Sequence, residues 1–360
     1  MIGLPVLSLI FAANAYFIWW VWRGLTRLPA QSSAANDAPR KYSVIIAAHN
    51  EEAAIANCLT TLIAQNYPKD HYEIIIVADR CTDETVDIAR AFQSQFPGLQ
   101  ILEIDDVPPG VSPKKNGLAQ AIQRTKFDHF LFLDADVRPS LNHIRTMNRY
   151  FDDDAAAVVS LMTFAKATSF WQKFLAFEKL ASWCIAAAGV GWRFPVISYG
   201  GNWGYTRGAF EAVGGFEAIL HALSGDDDLL LQKMGQMNLP VHFCLHPDGW
   251  VKMAAPSSFG QFIRQRRRHF SAGKNYLFSL QLSYFLYHAS NLALWIAPLF
   301  FPPAGIFLLL KLTLDWRIIR RGSRLFREHF SPASTIVFDF LFMIYNTLIG
   351  PLGHFGKIKW

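Results

Sequence analysis

Apolar and polar positions divide the chain into three stretches. Ile2 to Trp22 is an almost unbroken apolar run, with Asn14 its most polar member, and is long enough to cross a bilayer as a helix. From Tyr42 onward the period keeps changing. Short β-branched or aliphatic runs at Tyr42–Ala48, Glu73–Ala78, Leu99–Ile104, Phe130–Leu133 and Ala156–Leu161 predict strands. Ile55, Cys58, Leu59, Leu62 and Ile63 recur at helical spacing, Asn50 suits the N-cap of that helix, and Thr82–Phe92 predicts the next one. From Tyr276 the sequence turns apolar again. Leu292–Leu310 carries Pro298, Pro302 and Pro303, so it is either one kinked span or the end and start of two, and Ile336–Leu352 is a further candidate.

These stretches give a domain plan. Residues 1–23 are a transmembrane anchor, 24–41 a linker whose Gln31–Pro39 segment is small and polar, 42–275 the catalytic domain with interfacial helices, and 276–360 a transmembrane region with three expected spans. Basic residues Arg23, Arg27, Arg40 and Lys41 follow the first apolar run rather than precede it. That pattern differs from a cleaved signal peptide and puts the following domain in the cytosol. A multi-pass protein of a bacterial inner membrane is the expected setting. Arg317 to Arg327 then forms a cytosolic loop and the C-terminus lies outside, a last step that Lys357 and Lys359 oppose. Phe170–Phe194 mixes Trp171, Phe174, Phe177, Trp183 and Trp192 with few charges. It predicts either a helix on the membrane surface or an aromatic core helix.

Strands alternating with helices predict an α/β fold built on a mostly parallel sheet, whose ligands bind beyond the carboxyl ends of the strands. No G-x-G-x-x-G or G-x-x-x-x-G-K-[ST] is present, which disfavours a dinucleotide dehydrogenase or a P-loop enzyme. Charge adds one feature. The net +6 comes largely from two knots, Arg264 to Arg268 and Arg317 to Arg327, both beside apolar runs. That placement suggests lipid headgroups or phosphates at a membrane surface, and no recognised nucleic-acid module accompanies it. The four cysteines show neither metal nor redox spacing.

Acidic residues carry the candidate chemistry. Asp134-Ala135-Asp136 follows the apolar strand Phe130–Leu133, and two carboxylates at a strand end can share Mg²⁺ or Mn²⁺ with phosphate oxygens. At a random position the same tripeptide would be a solvated turn. Gly225-Asp226-Asp227-Asp228 precedes an apolar run and suits a general base. Asp152-Asp153-Asp154, without a glycine before it, predicts a solvated loop. The pairs Gly200-Gly201 and Gly214-Gly215 permit close backbone approach to a substrate, or serve as tight turns. Gln265-Arg266-Arg267-Arg268-His269 can grip a diphosphate or touch lipid heads, and Lys114 and Lys115 either reach phosphate or are solvated.

In this order the motifs resemble family 2 glycosyltransferases and the related ceramide glucosyltransferases. Ala48-His49-Asn50-Glu51-Glu52 is similar to the motif that ends the family's first strand. Val77-Ala78-Asp79-Arg80-Cys81-Thr82-Asp83 is similar to its Val-Asp-Asp-Gly-Ser-Thr-Asp, Lys114 with Leu118 to its Lys-x-x-Ala-Leu, Asp134 and Asp136 to its Asp-x-Asp, and Gln265 with Arg268 to its Gln-x-x-Arg-Trp. The resemblance implies a GT-A fold, a UDP- or GDP-sugar donor, a divalent metal and inversion at the anomeric carbon. It implies Asp227 as base, with Ala48, Asn50, Glu51, Asp79, Lys114, Asp134, Gln265 and Arg268 on the donor side. Gly201, Asn202, Asp226 and His269 fall on the acceptor side, and Asp134 and Asp136 on the metal. A membrane lipid or lipid-linked acceptor is expected, by a non-processive enzyme. A processive polysaccharide synthase, a membrane-bound nucleotidyltransferase and a non-catalytic scaffold are the alternatives. Arg80-Cys81 in place of Gly-Ser and His269 in place of Trp are departures from the family pattern.

Overall fold

A computed structural model of the chain describes residues 3–28, 38–256 and 258–353. Residues 29–37 of the expected linker, with Lys357 and Lys359, lie outside the described residues. In chain order the elements are α1 (Leu4–Arg27), β1 (Tyr42–Ala48), α2 (Ile55–Ile63), β2 (Tyr72–Asp79), α3 (Thr85–Ala91), β3 (Leu99–Ile104) and α4 (Pro113–Arg124). Next come β4 (His129–Asp134), β5 (Arg138–Pro139), α5 (His143–Tyr150), β6 (Ala157–Val159), β7 (Met162–Phe164), α6 (Phe170–Gly191), β8 (Asn202–Thr206) and α7 (Arg207–Ala212). The remainder are α8 (Asp228–Gln236), β9 (Val241–Phe243), β10 (Val251–Met253), α9 (Phe259–Ala272), α10 (Phe278–Phe300), α11 (Gly305–Phe326) and α12 (Pro332–Leu348).

Contacts group these elements into two units. An α/β unit comprises 29–166 and 193–255, and a helical unit comprises 1–28, 167–192 and 256–360. The expected domain ran unbroken from 42 to 275. By contacts, α6 and α9 join the helical unit instead, because their apolar faces pack on its helices.

Within the α/β unit a seven-stranded sheet has the order β3-β2-β1-β4-β8-β6-β9. The first four are parallel, β8 runs antiparallel to both β4 and β6, and β6 pairs parallel with β9. A second sheet has the order β5-β10-β7. Strands β1 and β2 read as continuous apolar runs because both faces are covered, and nearly every residue in them is buried. Chain order reverses between β1 and β4, which lie side by side with Ala47 opposite Asp134. A parallel sheet opens a crevice at such a switch point. It places the ends of β1 and β4, and hence Glu51 and Asp134, on one rim.

In the helical unit, α6 is a central helix. Ser169 N-caps it in a reciprocal capping box with Gln172. Trp183, Phe174 and Phe177 are buried in it, which agrees with an aromatic core helix rather than one lying on a surface. Gly24 of α1 approaches Ala188 of α6 so closely that a Cβ there would lie 2.5 Å from the Ala188 carbonyl oxygen, the small-residue contact that lets two helix backbones meet. The Arg27 guanidinium sits 3.6 Å over the Trp192 ring, whose Nε1 donates to the Trp20 carbonyl at 2.8 Å. The chain turns between α10 and α11 at Pro302–Ala304, so the proline-rich run is two helices and not one kinked span.

Among the described residues, three helical stretches are long and apolar enough to cross a membrane: Leu4–Arg27, Phe170–Gly191 and Pro332–Gly353. The first and third match expected spans. Neither α10 nor α11 is among the three. Polar residues such as Gln281, His288 and Asn291 dilute α10, while Lys311, Asp315 and four arginines dilute α11. The unit still turns large apolar side chains outward, including Leu9, Phe285, Leu299 and Phe300, each more than two-thirds exposed.

Candidate active site

Three segments of the α/β unit converge on Lys114. Its ammonium lies 3.3 Å from Asp134 Oδ1 and 3.2 Å from Asp226 Oδ2. Asp134 ends β4, Lys114 opens α4, and Asp226 and Asp227 precede α8. Gly200-Gly201, before β8, closes the group. A Cβ at Gly200 would lie 3.2–3.3 Å from Lys114 Nζ, Asp226 Oδ2 and Asp227 Oδ2. One at Gly201 would overlap the Asp134 carboxylate, 2.7 Å from its Cγ and 2.6 Å from Met162 Cε. The glycine pair therefore answers a close approach rather than a turn, since neither residue has positive φ.

Local rules hold the acidic triplet in place. Gly225 supplies φ +82° for the sharp entry into α8. Asp227 N-caps α8, with Oδ1 accepting from the Asp228 N–H at 2.8 Å, while Asp228 accepts the Ser198 N–H at 2.7 Å and so anchors the segment that leads to Gly200. Lys115 is fully buried and its ammonium donates to the carbonyls of Ala222 and Ser224, pinning the segment before the triplet. The sequence left Lys115 as phosphate-binding or solvated, and the structure corrects this. The signal was present: Lys115, Leu118 and Ile122 share one helix face by spacing, and all three are buried.

The carboxyls differ electrostatically. Burial, then the adjacent Asp226 charge, pushes the Asp227 carboxyl up to about 6 against the pull of Lys114. Burial would also raise Asp226, but Lys114 and Lys115 outweigh it and hold that carboxyl below its usual value. One aspartate is thus held ionised, while its neighbour takes up a proton at higher pH than an ordinary carboxyl.

On the β1 side, Asn50 is not a helix N-cap, because Ala54 takes that position and Asn50 sits at φ +57°. Its Oδ1 accepts from the Thr82 N–H at 2.8 Å and ties the loops after β1 and β2 together. Ala48 is buried as the last residue of β1. Both oxygens of Asp79, at the end of β2, already accept from Arg80, at 2.8 and 3.0 Å. Arg80 itself is left-handed at φ +48°, so the turn survives the loss of glycine. Asn202 is corrected as an acceptor contact. It is fully buried, its amide donates to Leu161 and Gly249 carbonyls, and His143 Nε2 meets its oxygen at 2.9 Å. Burial pushes the His143 imidazole down to about 4, which keeps it neutral in that core network. Gln265, Arg268 and His269 lie on α9 of the helical unit, so the cluster assembled within the α/β unit does not contain them.

Among the described residues no group of three or more His, Cys, Asp or Glu side chains is arranged to enclose a metal ion. Asp134 and the exposed Asp136 offer a carboxylate pair. Burial, then the charges of Asp136, Asp134 and Asp83, pushes the Glu51 carboxyl up to about 7, a sign of crowded negative charge at this rim. Mg²⁺ or Mn²⁺ needs only one or two protein carboxylates when phosphate oxygens and water complete its shell. The donor set fits a cation arriving with a diphosphate and does not form a closed protein cage.

Replacing Gly201 by alanine separates folding from chemistry. The colliding atoms are ends of flexible side chains, so the expected folding cost is about 1 kcal/mol. Displacing the Asp134 carboxylate is expected to lower kcat/KM about 100-fold. Melting curves beside steady-state rates check this, and an unimpaired rate would show that Asp134 has no positional role.

A family model described as "Glycosyltransferase like family 2" matches residues 39–272. A probable glycosyltransferase, YdaM, of Bacillus subtilis is 27% identical over 241 residues, covering 66% of this chain and 56% of that protein. A beta-monoglucosyldiacylglycerol synthase of Synechocystis is 30% identical over 133 residues, covering 36% of this chain and 27% of that protein. The chain thus spans little more than half of the first relative and less of the second. Among solved structures, the mannosyltransferase PcManGT of Pyrobaculum calidifontis, in complex with GDP-Man and Mn²⁺, superposes with a TM-score of 0.60 at 18% identity. That match covers 94% of this chain and 96% of that one and supports the GT-A fold.

Proposed function

The chain belongs to the glycosyltransferase-like family 2, and from that premise we propose that it transfers a sugar from a UDP- or GDP-sugar to a hydroxyl of a lipid or lipid-linked acceptor. The observation that carries this reading is the convergence of Asp134, Lys114, Asp226 and Asp227 on Gly200-Gly201. Asp227 takes the acceptor proton as the hydroxyl oxygen bonds to the sugar C1. The bond from C1 to the diphosphate oxygen breaks on the opposite face, and the nucleoside diphosphate leaves with the electron pair. A single displacement of this kind inverts the anomeric centre. Asp226 stays ionised and orients Lys114, which places positive charge between the acidic rim and the base. Asp134 and Asp136 would hold Mg²⁺ or Mn²⁺, which when bound offsets charge on the diphosphate. Gln265 and Arg268 on the basic helix α9 are assigned to the donor and His269 to the acceptor by resemblance to the family motif. Asn50, Glu51 and Asp79 complete the donor side.

A lipid acceptor is favoured by the outward apolar side chains of the helical unit and by the Synechocystis relative, which is named for a glucosyldiacylglycerol. The apolar helix α1 and the apolar stretch Pro332–Gly353 support a multi-pass protein whose catalytic unit faces the cytosol of a bacterial inner membrane, whereas α6, with parts of the α/β unit before and after it in the chain, cannot cross without dividing that unit. Screening UDP- and GDP-sugars with purified protein, scored by nucleoside diphosphate release with and without membrane lipid, tests the reading. Release only with soluble sugars as acceptor would overturn the lipid assignment, and pyrophosphate release would point to nucleotidyl transfer.

The base also predicts a pH profile. Only ionised Asp227 can accept the proton, so kcat/KM is expected to rise tenfold per unit below about 6 and level off above it. A flat profile from pH 5 to 8 would remove Asp227 from that role. Stability runs the other way. The raised carboxyl binds its proton more tightly in the native state than at its ordinary value of 3.8, so its contribution is present below that value and is lost as pH rises through about 6.

A further inference from the structure

The corner between α11 and α12, in the helical unit, forms an open cavity of about 460 Å³ lined by Arg320, Ser323, Arg324, His329, Phe330 and Ser331. Its charge has one sign. Two guanidiniums, an imidazole and two hydroxyls line it, with no carboxylate among them, and the nearby Glu328 is not part of the wall. Arg320 and Arg324 stand one helical turn apart, so both forks open on the same side of α11. The Arg320 guanidinium lies 5.2 Å over the Trp316 ring, which fixes its stem.

Two further observations point to a ligand. Ser323 is only 8% exposed, and its hydroxyl oxygen is buried without a hydrogen-bond partner. Buried hydroxyls are normally satisfied, and a ligand oxygen in the cavity would satisfy this one. Ser331 lines the cavity as the N-cap of α12, accepting the Ser334 N–H at 3.1 Å, so the electropositive end of a 17-residue helix borders the same space. Forked guanidiniums, hydroxyl donors and a helix N-terminus suit a tetrahedral oxyanion. Phe330 makes the wall partly apolar, and Ile336, Val337 and Phe340 continue exposed along α12 from that point. An anion site at the end of a helix with outward apolar side chains fits a lipid, whose acyl chain can lie against them while its headgroup meets the guanidiniums.

We propose that this cavity binds the phosphate of an anionic phospholipid headgroup, with Arg320, Arg324 and the Ser323 hydroxyl on its oxygens and the acyl chain lying along α12. The site is independent of the sugar-transfer reading, and its occupant is a resident lipid rather than the acceptor.

The test uses the full chain in neutral detergent, titrated with phosphatidylglycerol and, separately, with phosphatidylcholine and inorganic phosphate, and read by native mass spectrometry. Wild type is expected to retain phosphatidylglycerol in preference to the other two. The double variant Arg320→Gln/Arg324→Gln is expected to bind it at least tenfold more weakly, about what two basic contacts contribute. Arg317→Gln/Arg327→Gln removes the same charge from α11 and the residue that ends it, outside the cavity, and is expected to stay within about twofold. Ser323→Ala, which alters one oxygen, is expected to weaken binding about fivefold and serves if the double variant fails to fold. Equal loss in the two double variants would reduce the effect to diffuse attraction. Inorganic phosphate binding as tightly as the lipid would make this a free-phosphate site. Either result, or no retained lipid in wild type, overturns the proposal.

Discussion

Asp227→Asn is expected to lower kcat about 1,000-fold while leaving affinity for the nucleotide sugar unchanged. Asparagine keeps the volume, and its carbonyl oxygen can still accept the Asp228 N–H that caps α8. It cannot take up a proton. Loss of the cap therefore does not explain the expected loss of rate, and melting curves close to wild type would confirm that separation. Asp226→Asn is the informative companion. It removes the anion that holds Lys114 at 3.2 Å, so its expected damage falls on the placement of Lys114 and on the pH profile, whose limb moves down once the neighbouring charge is gone. Donor binding by calorimetry and nucleoside diphosphate release by a coupled assay measure both. If Asp227→Asn kept most of its turnover, the base would have to be sought elsewhere.

Lys311→Met carries the second large effect, this time on stability. Lys311 is fully buried on α11, 2.8 Å from Asp315 Oδ2 and paired with Asp339 of α12, whose Oδ2 also accepts from Trp295 Nε1 at 3.0 Å. Two buried carboxylates share one ammonium. Removing the cation strands both anions, and breaking a buried pair in this way costs about 3–5 kcal/mol. The triple variant Lys311→Met/Asp315→Asn/Asp339→Asn leaves no buried charge and is expected to recover most of that loss, because a buried ion cluster contributes little net stability over neutral groups. Thermal unfolding in detergent reads both. An unchanged midpoint for the single variant would mean that water reaches the cluster. The cluster also shows how α11, too charged to look like a membrane helix, packs beside α10 and α12: its buried Lys311 meets both Asp315 and Asp339, so none of the three stands isolated.

Much of the candidate site was legible along the chain because each part sits at a strand end or a helix start, where pattern and chemistry coincide. Asp134 follows an apolar strand, and Asp227 follows a glycine turn. Lys115 and Asn202 were misplaced for a shared reason. Residue type alone says that lysine and asparagine prefer water, whereas a buried ammonium or amide is stable once carbonyls meet it. Those carbonyls, of Ala222 and Ser224 for Lys115 and of Leu161 and Gly249 for Asn202, come from distant parts of the sequence. Asp79 was placed correctly at its strand end, but its engagement by Arg80 was not foreseen, because it depends on a left-handed backbone that a non-glycine residue rarely adopts.

The amino-acid sequence by itself determined the elements, their alternation, the apolar stretch that opens the chain and the order of the acidic motifs, since these follow from local periodicity and from what each side chain can do within a turn or two. Only the tertiary structure decided that β4 lies beside β1, that a carboxylate lies where a side chain at Gly201 would go, and that α6 packs with the helices rather than with the sheet flanking it in the chain. Each of these is a contact between residues far apart in sequence, fixed by which faces remain to be buried once the local elements exist.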